Sequence, residues 1–251
     1  MTSLENLIGL MVVFLTAAFM IVFAMQDRKH NLAFRCIPAL EKLDRAVGIA
    51  VEDGRRLHIS FGWGEFLGFH AASILTNTAA LEEISKRSMG SDRTPATTSG
   101  NGTSTLLAVD VLQSAQRYGF VNERMDARRG RLAGVTAMSY AAGVLPALHS
   151  EHTSTIVFGG ALGAELRLIL DAAEDEQIQV LAASDSLTGQ AVAFSSPVEI
   201  LIGEEIFALP AYLHAGSMYS ASLLAEDSLR WLLIAVILLG AALRSIGLQI
   251  L

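Results

Sequence analysis

The sequence predicts an α/β fold, a Rossmann-like, doubly wound and mostly parallel sheet, flanked by an N-terminal and a C-terminal transmembrane helix. Three observations predict it. Apolar runs almost free of charge stand at both ends, short β-prone runs alternate with helical stretches between them, and glycine-rich turns sit where strands hand over to helices. Composition agrees: of 251 residues, 52% are hydrophobic and 17% charged, against roughly 25% charged in an average soluble chain.

The first segment, residues 1–25, contains nineteen uncharged residues at 7–25, LIGLMVVFLTAAFMIVFAM. A helix of that length matches the roughly 30 Å of a bilayer's hydrocarbon core. A cleaved signal peptide is the rival reading, but the residues before the run include Glu5 and no Lys or Arg, and no small-x-small site follows it. The segment is therefore expected to stay as an anchor.

The last segment, residues 230–251, opens with Arg230 and runs WLLIAVILLGAALRSIGLQIL from Trp231, where Arg244 is the one charge, after thirteen apolar residues. Thirteen is short, so a buried core helix is the alternative; the interfacial aromatic Trp231 favours a membrane span. The basic polar connector, residues 26–45, carries Arg28, Lys29, Arg35, Lys42 and Arg45, whereas no basic residue precedes the first span. The positive-inside rule then puts the soluble domain in the cytoplasm and both termini outside, a two-pass protein of the cell membrane. An antiparallel pair of spans would bring Glu5 and Arg244 to the same side, as an ion pair; snorkelling of Arg244 to the headgroups is the equal alternative.

The soluble domain is expected at residues 46–229. AVGIAV and RRLHISF around Glu52-Asp53-Gly54 read as a β-hairpin. Apolar periodicity at 66–84 predicts a helix, and residues 88–104, rich in Gly, Ser, Thr and Asn, a loop. Helices are expected at 106–118, 140–149 and 162–173, strands at 132–138, 154–158, 178–182 and 191–194, and mostly helical runs at 200–213 and 218–229. The last of these enters the second apolar segment without Gly or Pro, which predicts a rigid joint.

Two glycine turns follow predicted strands: Gly62-Trp63-Gly64-Glu65-Phe66-Leu67-Gly68 and Gly159-Gly160-Ala161-Leu162-Gly163-Ala164-Glu165. Such turns can aim backbone N–H groups at an anion. With Thr98 of the hydroxyl-rich loop 94–100, Gly62, Gly64, Gly159 and Gly160 form the candidate ligand site. Against this stands the first turn's spacing, G-x-G-x-x-x-G, which departs from the dinucleotide fingerprint, and Trp63, Glu65 and Glu165 would crowd or repel a phosphate. Tight chain turns and close helix packing explain the glycines more simply.

Glu204 and Glu205 interrupt an apolar stretch and read as a structural acidic pair that caps a helix or meets a cation. Six histidines show no metal-ligand spacing, the lone Cys36 excludes an intrachain disulfide, and no serine sits in a nucleophile elbow. No catalytic residue, metal or cofactor is implied. A net charge of −7 without a basic stripe argues against nucleic acid as a partner.

GRRLHISFG at 54–62, MSYAAG at 138–143, GGALGAE at 159–165, IGEEIFALPAYL at 202–213 and LLAEDSLRWLL at 223–233 together resemble an uncharacterised bacterial family of membrane-anchored α/β proteins, as found in filamentous green non-sulfur bacteria. The resemblance implies a membrane segment at each end of an α/β domain of unknown function, and no active site.

Function is expected to be structural: a membrane-anchored scaffold forming a large symmetric homo-oligomer, its partners itself and the bilayer. Gly9, Ala17 and Ala18 in the first span and Gly240, Ala241 and Ala242 in the second would allow close helix approach. The alternative is a tethered sensor or enzyme that binds a nucleotide or small anion. A third reading makes Arg244 the lining of an oligomeric pore.

Overall fold

The computed structural model describes residues 2–27, 34–88, 93–118 and 129–245, with side chains from residue 6 onward except at 118. Within these residues the chain forms two compact units, Met1–Phe34 with Gly216–Leu251, and Arg35–Ala215.

The first unit holds helix α1 (Thr2–Asp27) and the 29-residue helix α9 (Ser217–Ser245), which lie against each other. Among the described residues one helix, Asn6–Asp27, is long and apolar enough to cross a membrane. Large apolar side chains are exposed on both helices, Met11, Val13 and Phe14 on α1 and Trp231, Leu233 and Val236 on α9. The predicted run 218–229 is the first part of α9, with no break before Trp231. Arg244 is exposed in the last turn of α9; the Glu5 side chain, Arg28, Lys29 and residues 246–251 lie outside what is described.

The second unit is α/β, with a six-stranded, all-parallel sheet in the order β3-β2-β1-β4-β5-β6. The strands are β1 (Arg56–Ser60), β2 (Ala96–Ser99), β3 (Gly130–Leu132), β4 (Thr153–Gly160), β5 (Gln179–Ser184) and β6 (Glu199–Ile200). Helix α2 (Pro38–Glu52) precedes β1; α3 (Ala71–Arg87), α4 (Gly102–Tyr118), α5 (Ala137–Ser150), α6 (Leu166–Asp175) and α7 (Leu187–Phe194) connect successive strands, and α8 (Glu205–Tyr212) follows β6. This order reverses between β1 and β4, the switch point at which doubly wound sheets bind ligands.

Helices cover both faces. On one, Tyr140, Val144, Ile156, Phe158, Leu162, Leu166 and Ile169 form a continuous buried core between the sheet and α5 and α6. On the other, Arg87 of α3 reaches Asp44 of α2 and, at 2.5 Å, the Leu213 carbonyl just past α8. Burial on both faces explains why the interior strands are not alternating: β4 is buried at all eight positions.

Four elements differ from the sequence expectation. AVGIAV is helix, not the first arm of a hairpin: Pro38 starts α2, and Ala39, Leu40, Leu43, Ala46, Val47 and Ala50 repeat at helical spacing toward the core. The loop expected at 88–104 contains the interior strand β2, four hydroxyl-rich residues that are all buried; residues 89–92 lie outside the description. The strand expected at 132–138 ends at Leu132, because Thr136 and Ser139 form a capping box that starts α5. Residues 191–194 end α7 instead of forming a strand, with the buried Gly189 and Ala193 allowing the helix to pack closely.

Candidate functional site

The candidate ligand residues lie along the C-terminal half of the strands and in the turns that follow. β1 leads into Phe61 and Gly62, β2 ends beyond Thr98 at Ser99, and β4 ends in Gly159 and Gly160. The sequence thus brings Gly62, Gly64, Thr98, Gly159 and Gly160 to the central strands and the switch-point edge, but the structure gives each of them a packing partner.

Gly62 has φ +66°, and a Cβ there would stand 2.3 Å from the Ala161 carbonyl oxygen. Gly160 has φ +103°, with its added Cβ 2.6 Å from the Phe61 carbonyl oxygen. The same addition at Gly64 would meet Ala161 and His70, and at Gly159 the Asn77 amide. Backbone hydrogen bonds stitch the turns together: Trp63 N–H donates to the Ala161 carbonyl at 3.1 Å, Gly100 N–H to Gly62 at 2.7 Å and Asp185 N–H to Gly160 at 3.2 Å. The β1 and β4 turns therefore meet across the crevice in which a pyrophosphate rests in dinucleotide-binding sheets.

Thr98 is inside. Its hydroxyl lies 2.9 Å from His58 Nε2 and 2.8 Å from Ser60 Oγ, and Ser60 is also hydrogen-bonded to the Tyr140 hydroxyl. Gly62 N–H donates to that hydroxyl at 3.2 Å, and Asn77 Nδ2 to the Ser60 carbonyl at 3.0 Å. All of these residues are buried. Burial, partly offset by the Ser60 hydrogen bond, pushes the Tyr140 phenol up to about 12. Burial, then the positive charges of Arg131 and Arg56, drives the His58 imidazole down to about 3. The chain of hydroxyls joins β1, β2 and α5 without a charge.

Two carboxylates hold the rim of the crevice. Glu165, buried, accepts from Trp63 Nε1 at 2.7 Å and from Gly163 N–H at 2.6 Å. Asp185, after β5, accepts from His70 Nδ1 at 2.9 Å and from Ser73 Oγ at 2.5 Å, spanning β4 beside the switch point. A carboxylate on Nδ1 orients this partly exposed ring and selects its tautomer. His70 and Asp185 are 115 residues apart, so no spacing in the sequence announces them.

Glu205 opens α8 and pairs with Arg35, while Glu204 precedes the helix and its side chain does not cap it. Among the described residues no group of three His, Cys, Asp or Glu could hold a metal ion.

The same edge carries large apolar side chains that cover nothing. Leu67 and Phe69, in the turn after β1, are almost wholly exposed, and so is Leu187, after β5. Val135 and Met138, after β3, and Leu106, near the start of α4, are also exposed. In sequence these residues were indistinguishable from core.

A family model matches residues 1–251 in full. The chain belongs to that family, Domain of unknown function (DUF6754). No curated protein and no solved structure matches it. Membership agrees with the resemblance to an uncharacterised family and brings no active site with it.

Proposed function

We propose that this chain is a membrane-anchored scaffold that assembles with itself, the α/β unit docking copy to copy through the apolar edge that follows the C-terminal ends of its strands. The carrying observation is the exposure of Leu67 and Phe69 together with Leu187, Val135, Met138 and Leu106 on that one edge. Exposed apolar patches of this kind mark interaction surfaces, and closed symmetric homo-oligomers are the commonest outcome.

Mass measurement on the full chain in mild detergent tests it. The wild type is expected as a large uniform particle, and the double variant Leu67→Asp with Phe69→Asp as a monomer or dimer with an unchanged circular dichroism spectrum. A wild-type monomer would overturn the scaffold and leave the tethered ligand-binding reading. That second reading has the His70–Asp185 pair in its favour and the Trp63–Ala161 hydrogen bond against a nucleotide.

The membrane topology in this proposal is two-pass, with α9 as the second span and the α/β unit in the cytoplasm. The exposed apolar face of α9 beyond Trp231 supports the span, and the basic flank after α1 the orientation. Cys36, the single cysteine and exposed, reports on it. In intact cells it is expected to escape an impermeant maleimide and to react once the membrane is opened. Labelling is best done in alkaline buffer, because the Glu41 carboxylate that accepts from its thiol raises the thiol pKa. Labelling in intact cells would put the unit outside.

A further inference from the structure

We infer that the cavity beside the short edge strand β6 is a binding site for an α-amino acid with an aliphatic side chain. The cavity, of about 490 Å³, lies where β5 and β6 begin, at the opposite end of the strands from the apolar docking edge and the switch point. Its volume falls within the roughly 300–1,000 Å³ of small-molecule sites.

Strand register makes the space. β6 pairs with β5 only at Leu181↔Glu199 and Ala182↔Ile200, so Gln179 and Val180, which open β5, have no strand beside them on that side among the described residues. Helix α2 lines the gap with Lys42, Arg45 and Ile49, which share a face at helical spacing, and α6 lines it with Leu170 and Glu174, one turn apart. Leu170, Ile178 and Val180 reach the cavity from the buried core. Ile49, off the buried stripe of α2, is exposed beside it. An aliphatic side chain laid between them would cover Ile49 and extend the core.

The charges decide the polar end of the ligand. Five ionised side chains line the cavity, and three are already matched: Lys42 donates to Glu199, and Asp171 accepts from Arg167 at 2.7 Å. Arg45 and Glu174 remain, one of each sign, without an ion-pair partner among the described residues. Glu174 stands in the last turn of α6, which has no basic residue. The negative end of the helix dipole adds to its charge there and favours a cation. Arg45 offers a planar fork to a carboxylate. A simple anion would be opposed by Glu174 and a simple cation by Arg45, whereas a zwitterion satisfies both. The competing account has Arg45 and Glu174 solvated, or closed on each other, with no ligand between them.

The test uses the full chain in phosphatidylcholine nanodiscs, titrated with L-leucine and read by calorimetry. Saturable binding is expected, weakened about tenfold by Arg45→Gln and by Glu174→Gln, each of which removes one charge-assisted contact. Both residues are exposed, so the two variants are expected to melt with the wild type.

Two truncated probes read the charges separately. Isocaproate keeps the carboxylate of leucine without the ammonium, and isopentylamine keeps the ammonium without the carboxylate. Each is expected to bind the wild type more weakly than leucine does. Glu174→Gln is expected to leave isocaproate binding no weaker, and Arg45→Gln to leave isopentylamine binding no weaker. Absence of saturable leucine binding would overturn the site. Leucine binding left unchanged by either variant, or matched by isocaproate or isopentylamine, would overturn the assignment of a zwitterion.

Discussion

Replacing Gly62 with alanine is expected to cost roughly 2–5 kcal/mol, the sum of about 1–2 for a side chain in the left-handed region and about 1–3 for a forced clash. The residue sits at φ +66°, and the new methyl would lie 2.3 Å from a backbone oxygen of Ala161, which no side-chain rotation relieves. Gly54 is the control. It has nearly the same φ, +62°, but an added Cβ there meets nothing within 4 Å, so Gly54→Ala carries the conformational cost alone. Thermal melts of the full chain in detergent, at one scan rate, should place Gly62→Ala below Gly54→Ala by several degrees, since 1 kcal/mol corresponds to about 2–4 °C at this size. Equal losses would mean that the β1 and β4 turns separate freely and that the crevice can open to a ligand.

That comparison bears on how the candidate site was legible. Glycine-rich turns after strands were visible, and so was their convergence on one edge, because a parallel sheet puts every strand's C-terminal end on the same side. Sequence could not show whether the turns cradle a ligand or each other. The hydrogen bond from Trp63 N–H to Ala161 and the contact of Gly160 with Phe61 follow from strand order, which no local pattern encodes.

The fold was legible where apolar periodicity is strong, as in β4, β5, α4 and α6. It was lost where composition and burial disagree. β2 is Ala-Thr-Thr-Ser, polar by composition, yet it lies inside the sheet because His58, Ser60 and Tyr140 supply partners for its hydroxyls. α2 and the end of α7 were lost for the opposite reason: short Ala-Val runs fit either period, and tertiary packing decided between them. The exposed Leu67, Phe69 and Leu187 look like core in sequence, as do the residues of any interface that one copy of a chain leaves uncovered.

Acidification should destabilise the protein through His58 before carboxylates dominate. The imidazole is wholly buried and titrates near 3, against 6.5 when exposed. Its folded pKa is depressed, so the unfolded chain binds the proton first. The contribution is fully present above pH 6.5 and is lost as pH falls from 6.5 toward 3. Between pH 7 and pH 5 the loss amounts to about 2 kcal/mol, since each pKa unit is worth about 1.4 kcal/mol. Urea titrations of the full chain at the two pH values measure it, with His58→Gln as the reference. The variant is expected to start less stable, because the Thr98 bond is remade imperfectly, but to fall less steeply over the same interval. The physical cause is that protonation would place a third positive charge beside Arg131 and Arg56 inside the sheet, with only hydroxyls for company. Parallel slopes for wild type and variant would show that water reaches the imidazole and that the hydroxyl chain from His58 through Ser60 to Tyr140 is not the sealed interior of this unit.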